Sequence, residues 1–216
     1  MAVVPRTEAG RPVPAFPRED WLHGPDEPDG VPEEDAALLE RCRAGDVSAF
    51  ESLFATHGAR MKSVAMNLLG NTSDAEDAVQ DSFLKVYRGA AAFRGGSRLS
   101  TWIYRVLVNS CYDMLRKRRR RAESPEQGPG GEPASGRMLA PASDHPLRLS
   151  LETCLARLDP RRRAAFLLFA VEGFSHREVG DILGVPEGTS RTLLFEAKRD
   201  LQRFLGEGPP PRRATA

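Results

Sequence analysis

The sequence has few of the residues that build catalytic and metal centres. Its 216 residues include three cysteines and four histidines. There is no Cys-x-x-Cys pair, and the histidines lack the spacing of a metal site or a catalytic triad. The cysteines are odd in number and far apart, and each lies in an apolar helical pattern, so we expect small buried side chains in a reducing compartment. They are Cys42, Cys111 and Cys154. The composition predicts no catalysis, no metal and no cofactor.

Long hydrophobic runs are also lacking. No apolar run is long enough to span a bilayer, and the N-terminus lacks the apolar core of a signal peptide. We therefore expect a cytoplasmic protein with no stable membrane insertion. The net charge of +1 hides a strong segregation, because residues 1–40 hold ten acidic residues against three arginines, whereas residues 116–121 are all basic. Such a basic run fits phosphate neutralisation, and a solvated helix end has the same pattern.

Helical periodicity dominates the chain, which has neither internal repeats nor strand alternation. Residues 1–34 are rich in proline and acidic residues and predict a disordered extension. Residues 35–121 and 147–206 are helical in pattern, residues 122–146 are rich in proline, glycine and serine, and residues 207–216 predict a disordered tail. The sequence thus predicts an all-α protein. Two small helical domains, a helical bundle and a helix-turn-helix domain, are joined by a flexible linker.

The stretch 175–205 carries the strongest local signals. Ser175 and Glu178 have the spacing of a capping box, and Gly184 can end the first helix in a left-handed conformation. A proline follows, and the next helix starts near Glu187. This pattern indicates two helices joined by a tight turn.

The second helix of this pair separates an apolar stripe from a polar face. Gly180 lies where the two helices would come closest, and the apolar stripe comprises Leu194, Ala197, Leu201 and Leu205. The outer face comprises Arg191, Thr192, Phe195, Glu196 and Arg199. These features are typical of a helix-turn-helix whose second helix enters the DNA major groove. An ordinary helical hairpin is the alternative.

The first domain has an amphipathic helix over residues 74–88. Ser73 is its predicted N-cap, with Glu76 as the capping-box partner. Its inward positions are Ala78, Val79, Phe83 and Val86, and its acidic outer face comprises Asp74, Glu76, Asp77, Gln80 and Asp81. Earlier positions of the same core are Leu38, Leu39, Cys42, Phe50, Leu53 and Phe54. Carboxylates suit the N-terminus of a helix, so a structural role stands beside a binding role for the acidic face.

A predicted loop from Phe93 to Ser97 precedes a helix of unusual composition. Trp102 and Tyr104 are interleaved there with Arg105 and Asn109. Aromatic rings stack on base faces, arginine pairs with phosphate, and an amide can read a Watson–Crick edge. The combination suits unstacked nucleobases, and a plain amphipathic helix is the simpler alternative.

Taken together, these segments resemble the extracytoplasmic-function class of bacterial RNA polymerase sigma factors. Residues 74–97 and 100–120 resemble the second conserved region, and residues 157–205 resemble the fourth. The resemblance implies an initiation factor that binds core polymerase and directs it to promoters, through −10 recognition and melting and through −35 recognition. It also implies contacts with the clamp helices of the largest subunit and the flap of the second subunit, and an anti-sigma factor as a partner.

The resemblance also assigns roles to residues. Those expected to bind the polymerase are Asp77, Gln80, Asp81 and Phe83. Those expected at the −10 element are Phe93, Arg94, Ser97, Trp102, Tyr104, Arg105 and Asn109, with Asn109 and the loop capturing a flipped base. Those expected at the −35 element are Arg191, Thr192, Phe195, Glu196 and Arg199.

The sequence departs from the family at three positions of the fourth region. Ser190 stands where Val or Ile is usual, and Leu193 and Glu196 stand where basic residues are common. A carboxylate can accept from cytosine N4, so the −35 preference is open. Two other functions are considered. A stand-alone helix-turn-helix regulator would need a dimerisation or effector domain, and a polymerase-binding regulator that reads no DNA would leave the Arg191–Arg199 face unexplained.

Overall fold

The computed structural model describes residues 33–93, 97–123 and 146–206, and within these ranges it contains helices and no strands. The helices of the first module are α1 (Glu33–Arg43), α2 (Val47–Leu69), α3 (Thr72–Gly89) and α4 (Leu99–Glu123), with a short 3-10 turn at Ala90–Ala92. Those of the second module are α5 (Pro146–Arg157), α6 (Pro160–Phe166), α7 (His176–Leu183) and α8 (Glu187–Gly206). The all-α prediction is confirmed. Apart from a few end residues, the predicted extension, linker and tail lie outside the described residues.

The turn between α2 and α3 corrects one prediction. Gly70 ends α2 in the left-handed region (φ 79°), and its N–H donates to the carbonyl of Met66. Asn71 is extended, and its side chain accepts from the backbone N–H of Asp74. Asn71 is therefore the N-cap, and the prediction of Ser73 was wrong. Because the left-handed glycine turns the chain within one residue, Ser73 already lies in the first helical turn.

The core of the first module lies between α2, α3 and α4. Its fully buried side chains include Leu53, Met61, Leu68, Val86, Ile103 and Leu107. Phe54 was wrongly predicted as core, since it is 55% exposed. It lies about 100° around α2 from Leu53, outside the buried stripe.

The second module is arranged around an irregular stretch after α6. The helix continues as a π-helical turn over Leu167–Val171, and the N–H of Glu172 donates to the carbonyl of Leu167 at 3.0 Å. The N–H of Phe174 then donates to the carbonyl of Leu168. This widened turn directs Glu172 and Phe174 toward the first module.

The helix-turn-helix matches its sequence signals closely. The capping box of Ser175 and Glu178 is present, and Gly184 ends α7 with a φ of 66°. A Cβ at Gly180 would lie 2.8 Å from the carbonyl oxygen of Val185, so the close approach of the two helices requires glycine there. The predicted apolar stripe of α8 is buried at Leu194, Ala197 and Leu201. In the last turn Phe204 is buried and Leu205 only partly so.

The three cysteines are buried and free, as predicted. Burial raises the pKa of the Cys111 thiol to about 12, so the reactive thiolate is absent at neutral pH. In the described part of the chain, no helix is long and apolar enough to cross a membrane.

Candidate nucleic-acid interface

The outer face of α3 is open to solvent. Asp77 and Gln80 are exposed, and Asp81 lies one turn beyond Asp77 with its side chain 54% exposed. Lys85 Nζ lies 2.7 Å from Asp81 Oδ2, and that hydrogen bond lowers the pKa of the Asp81 carboxyl. Ser110 Oγ donates to the same oxygen at 3.2 Å. The carboxylates predicted to bind a partner, Asp77 and Asp81, are therefore accessible.

Apolar side chains adjoin this acidic face, and the sequence interpretation missed them as a surface. We define the α2–α3 apolar patch as Val47, Phe50, Phe54, Phe83, Leu84 and Tyr87. Val47, Phe54, Leu84 and Tyr87 are each more than half exposed. The rings pair across the two helices, Phe50 with Tyr87 at 4.6 Å and Phe54 with Phe83 at 5.0 Å between centroids. Contiguous exposed apolar surface of this kind is typical of interaction sites.

Phe83, predicted to bind the polymerase, is partly buried within this patch. Its spacing with Tyr87, one turn later on α3, indicates one apolar stripe. Periodicity alone does not distinguish an apolar stripe that is buried in the core from one that is exposed on the surface.

The loop before α4 begins with a stacked aromatic pair. The rings of Phe93 and Trp102 lie 4.6 Å apart with an interplanar angle of 20°. Arg43 donates to the carbonyl of Phe93, which fixes the start of the loop on α1. Ser97 is partly exposed at the end of the loop, and Arg94 lies outside the described residues. One face of Trp102 is thus already occupied by Phe93.

The remaining α4 residues that the sequence predicted at the −10 element separate into two groups. Arg105 and Asn109 are exposed and lie one turn apart. Tyr104 is only 2% exposed, and its hydroxyl donates to Glu172 Oε2 of the second module at 2.7 Å. Its ring contacts Phe174 edge-on at 4.9 Å, and burial raises the pKa of the Tyr104 hydroxyl. The structure therefore does not place Tyr104 with the accessible residues, because the second module covers it.

Five of the six residues in the basic run at the end of α4 are exposed, and Arg118 is half-buried. Arg118 donates to the carbonyl of Leu69 at 3.0 Å, and Arg116 and Arg119 bond to acidic residues of their own helix. Arg120 and Arg121 are exposed. The run therefore combines a cap for the C-terminus of α2 with free positive charge.

Four of the five predicted −35 residues form an exposed row on α8. They are Arg191, Thr192, Phe195 and Arg199. Phe195 is 62% exposed, which is unusual for an aromatic side chain and suits contact with a thymine methyl group. Arg191 is oriented by Glu187 Oε1 at 2.7 Å.

The fifth residue, Glu196, faces α6 instead. Its Oε2 lies 3.0 Å from Nε of Arg162, whose Nη1 lies 2.7 Å from Oδ2 of the buried Asp200. Glu196 and Asp200 are one turn apart, so a single guanidinium fastens two turns of α8 to α6. The sequence could not indicate this pairing, because Arg162 is more than 30 residues away.

A buried polar pair lies between α7 and α8. His176 is 3% exposed, Ser190 is fully buried, and His176 Nδ1 lies 3.2 Å from Ser190 Oγ. The imidazole stacks on Phe169 at 4.4 Å. The Ser190 departure therefore has a structural explanation, because its hydroxyl is a hydrogen-bond partner for a buried histidine.

This pair predicts that the second module loses stability in mild acid. Burial lowers the pKa of His176 below its ordinary value of 6.5, and the neighbouring cations Arg191 and Lys198 act in the same direction, against Glu187. The unfolded chain therefore binds a proton more readily, so the free energy of unfolding should fall as pH drops below about 6.5. Urea denaturation at several pH values measures this. The His176→Leu/Ser190→Val variant should lack this component; an unchanged pH dependence in that variant would contradict the assignment.

Comparison with known proteins agrees with this geometry. Residues 53–121 match the family model of sigma-70 region 2, and residues 148–201 match that of sigma-70 region 4. The chain is 32% identical to the ECF RNA polymerase sigma factor SigM of Mycobacterium tuberculosis H37Rv over 176 residues, which cover 80% of this chain and 85% of SigM. The chain belongs to the ECF sigma factors of RNA polymerase.

Other relatives of this ECF sigma factor support the assignment over most of their length. The RNA polymerase sigma factor CarQ of Myxococcus xanthus is 34% identical over 170 residues, 78% of this chain and 96% of CarQ. The solved sigma factor RpoE of Bartonella quintana, in complex with the anti-sigma factor NepR, superposes with a TM-score of 0.60. It is 25% identical, over 76% of this chain and all of RpoE. The chain is therefore a promoter-directing initiation factor and not a stand-alone helix-turn-helix regulator.

Proposed function

We propose that this ECF sigma factor divides promoter recognition among three surfaces and works in the cytoplasm. The acidic face of α3 and the α2–α3 apolar patch dock on the clamp helices of core polymerase. The loop before α4 and the exposed part of α4 capture and melt the −10 element, and α8 reads the −35 element. The catalytic centre is supplied by the polymerase.

One observation carries this assignment: the exposed row of Arg191, Thr192, Phe195 and Arg199 lies on the second helix of a helix-turn-helix. In that motif the second helix enters the major groove, where arginine and threonine can bond base edges or phosphates. Phe195 is 62% exposed, so its ring is available to pack against a thymine methyl group. The row therefore has the composition of a base-reading face.

The proposed docking surface has a mixed composition. Exposed carboxylates flank exposed aromatic and aliphatic side chains on the same helix, α3. Protein interfaces combine an apolar centre with a polar rim, and the carboxylates add charge complementarity to a basic partner. The same surface suits an anti-sigma factor, and the relative RpoE was solved with one bound. An anti-sigma factor is thus proposed as a second partner.

The proposal is tested by reconstitution. Purified chain and core polymerase should co-elute and yield run-off transcripts from a genomic promoter library, whereas neither component alone should do so. The chain alone should bind duplex promoters weakly, since each small module contributes few contacts until the polymerase scaffold holds both at high effective concentration. Tight duplex binding by a dimer of the free chain would contradict the proposal that promoter recognition is divided between the two modules.

Asn109→Ala should impair promoter opening with little loss of polymerase affinity. Asn109 is exposed on α4, one turn after Arg105. An amide that reads a flipped base acts only after docking, and its loss leaves the fold intact because the side chain is exposed. Permanganate footprinting should show several-fold lower thymine reactivity at the −10 element. Full reactivity with normal core binding would remove Asn109 from the interface.

Glu196→Ala should lower stability slightly and leave the −35 base preference unchanged. Its carboxylate lies against Arg162 rather than in the exposed row. Because this ion pair is about one-third exposed, we expect a loss of only ~0.5 kcal/mol in the free energy of unfolding. Arg162→Ala should have an overlapping, non-additive effect in a double-mutant cycle. A randomised −35 library transcribed with each variant is the measurement, and a shift in preference at a single position would show that Glu196 reads a base.

A further inference from the structure

The inward stripe of α8 begins with a hydroxyl group, that of Ser190. The stripe continues at helical spacing to Leu194 and Leu201, which are buried like Ser190 itself. Ser190 directly precedes Arg191 and Thr192, the first two residues of the exposed row. The contacts that Ser190 makes inside the module therefore affect how this end of the row is presented.

Ser190 contacts a buried imidazole on α7. Nδ1 of His176 lies 3.2 Å from Ser190 Oγ, and both side chains are buried. The imidazole stacks on Phe169 with the ring centroids 4.4 Å apart and an interplanar angle of 25°. From α8, Nζ of Lys198 lies 5.8 Å from the centroid of the same Phe169 ring. One cluster therefore joins α7, α8 and the π-helical turn that precedes them.

Stability alone does not explain this buried pair. Within the described part of the chain, Nε2 of His176 is buried and has no hydrogen-bond partner. A buried polar atom without a partner costs free energy, and two apolar side chains of similar shape avoid that cost. Ser190 also stands where the family usually has Val or Ile, so an apolar contact can hold this crossing together. The polar pair therefore supplies something that an apolar contact does not.

The hydrogen bond restricts the rotation of α8 more tightly than an apolar contact would. Its two polar atoms must stay within about 3.5 Å of each other, whereas apolar side chains remain in contact while they slide. A single buried polar residue can fix the register of packed helices in this way. His176 lies one turn before Gly180, where α7 approaches the backbone of Val185. Two points one turn apart on α7 therefore determine how α8 lies against it.

A small rotation of α8 would have a large effect at the DNA surface. Side chains reach about 5–6 Å from the axis of a helix, so a rotation of ~20° moves an outer atom by about 2 Å. A hydrogen bond to a base edge spans about 2.7–3.2 Å and would break. Arg191 and Thr192 adjoin Ser190 in the chain and would move with it. Base selection by these two residues thus depends on the rotation of α8.

We infer that His176 and Ser190 are positioning residues for promoter recognition, because their hydrogen bond fixes the rotation of α8 and so sharpens base selection at the −35 element. Both side chains are buried, so they act through Arg191 and Thr192 and not by contact with DNA. This inference rests on the proposed role of α8 at the −35 element.

The test uses three variants of the full chain in complex with core polymerase. Ser190→Val and Ser190→Thr have nearly the same shape, and only threonine keeps the hydroxyl. His176→Phe/Ser190→Val removes both polar groups and keeps an aromatic ring beside Phe169, so no imidazole is left without a partner. Urea denaturation measures stability, and Ser190→Val takes the place of the double variant if the latter does not fold.

Two templates separate base selection from the rest of initiation. Run-off transcription from a promoter library with a randomised −35 element measures base selection. A fork-junction template without a −35 element measures transcription that does not use α8.

Ser190→Thr should select −35 bases like the wild-type chain. His176→Phe/Ser190→Val should fold and should transcribe the fork-junction template at the wild-type rate. Its discrimination against mismatched bases should be about tenfold weaker at one or two −35 positions. A wild-type −35 profile in this variant would overturn the inference, since the pair would then only pack.

An equally relaxed profile in Ser190→Thr would also overturn the inference, because the hydroxyl would not be the determinant. A failure of the proposed function is distinguishable from both results. In that case the wild-type chain itself would select no −35 bases, and the role of α8 would be overturned together with the inference.

Discussion

Core polymerase should bind the Asp77→Lys/Leu84→Ser variant at least about 100-fold more weakly than the wild-type chain, a loss of ~2.7 kcal/mol. The variant reverses one charge of the acidic face and removes one side chain of the α2–α3 apolar patch. Both side chains are exposed, Leu84 by 54%, so neither change creates a cavity in the core. Apolar anchors at the centre of an interface carry most of its binding energy, and a reversed rim charge slows association as well.

Glu123→Lys is the matched control for this measurement. Glu123 ends α4, is exposed, and pairs only with Arg119 one turn before it. The same change of charge there should alter polymerase affinity by less than about a factor of two, which is under ~0.5 kcal/mol. Fluorescence titration against labelled core enzyme gives both affinities. If the double variant and the control bind equally well, the face of α3 is merely solvated and docking occurs elsewhere.

Gly180→Val should unfold the second module and abolish transcription from promoters that need a −35 element. A Cβ at this position would lie 2.8 Å from the carbonyl oxygen of Val185 and 3.4 Å from the backbone nitrogen of Glu187. Both neighbours are backbone atoms of the turn, so relief requires the two helices to separate. We expect a loss of about 3 kcal/mol in the free energy of unfolding, near the upper end for overpacking.

Gly188→Ala is the control that separates the steric clash expected in Gly180→Val from the simple loss of a glycine. A Cβ at Gly188 would meet nothing within 4 Å, and the residue lies in the first turn of α8. Alanine should therefore leave stability unchanged or raise it by up to ~1 kcal/mol, through its higher helix propensity. Thermal and urea denaturation compare the two variants. Equal stability of Gly180→Val and wild type would mean that the helices do not cross as closely as the structure has them.

Local signals explain why much of the helix-turn-helix could be predicted from sequence. The capping box of Ser175 and Glu178, the left-handed Gly184 and the tight approach at Gly180 each depend on residues only a few positions apart. Capping and turn geometry are determined within one or two helical turns, so the sequence contains the necessary information. The Ser73 prediction was wrong because the left-handed Gly70 ends α2 so abruptly that the next helix is already capped by Asn71, two residues closer to the N-terminus.

The missed features all depend on contacts between distant residues. The sequence pattern placed Glu196 on the DNA-reading face because it could not show the ion pair with Arg162, which lies on another helix. The sequence pattern placed Tyr104 with the accessible aromatics because it could not show that Glu172 and Phe174, in the second module, bury this side chain. Phe54 was assigned to the core because helical spacing does not distinguish a stripe that packs in the core from one that stays exposed. Long-range packing, and not local propensity, decides these positions.

Promoter opening is the measurement that bears most directly on the division of labour among α3, α4 and α8. Permanganate reactivity of thymines would be recorded on a promoter found by run-off sequencing, with core polymerase alone, with the chain alone, and with both together. We expect reactive thymines at the −10 element only when both are present, and loss of that reactivity with Asn109→Ala although the polymerase complex still forms. Equal reactivity with core polymerase alone, or full opening by the complex carrying Asn109→Ala, would contradict this division of labour.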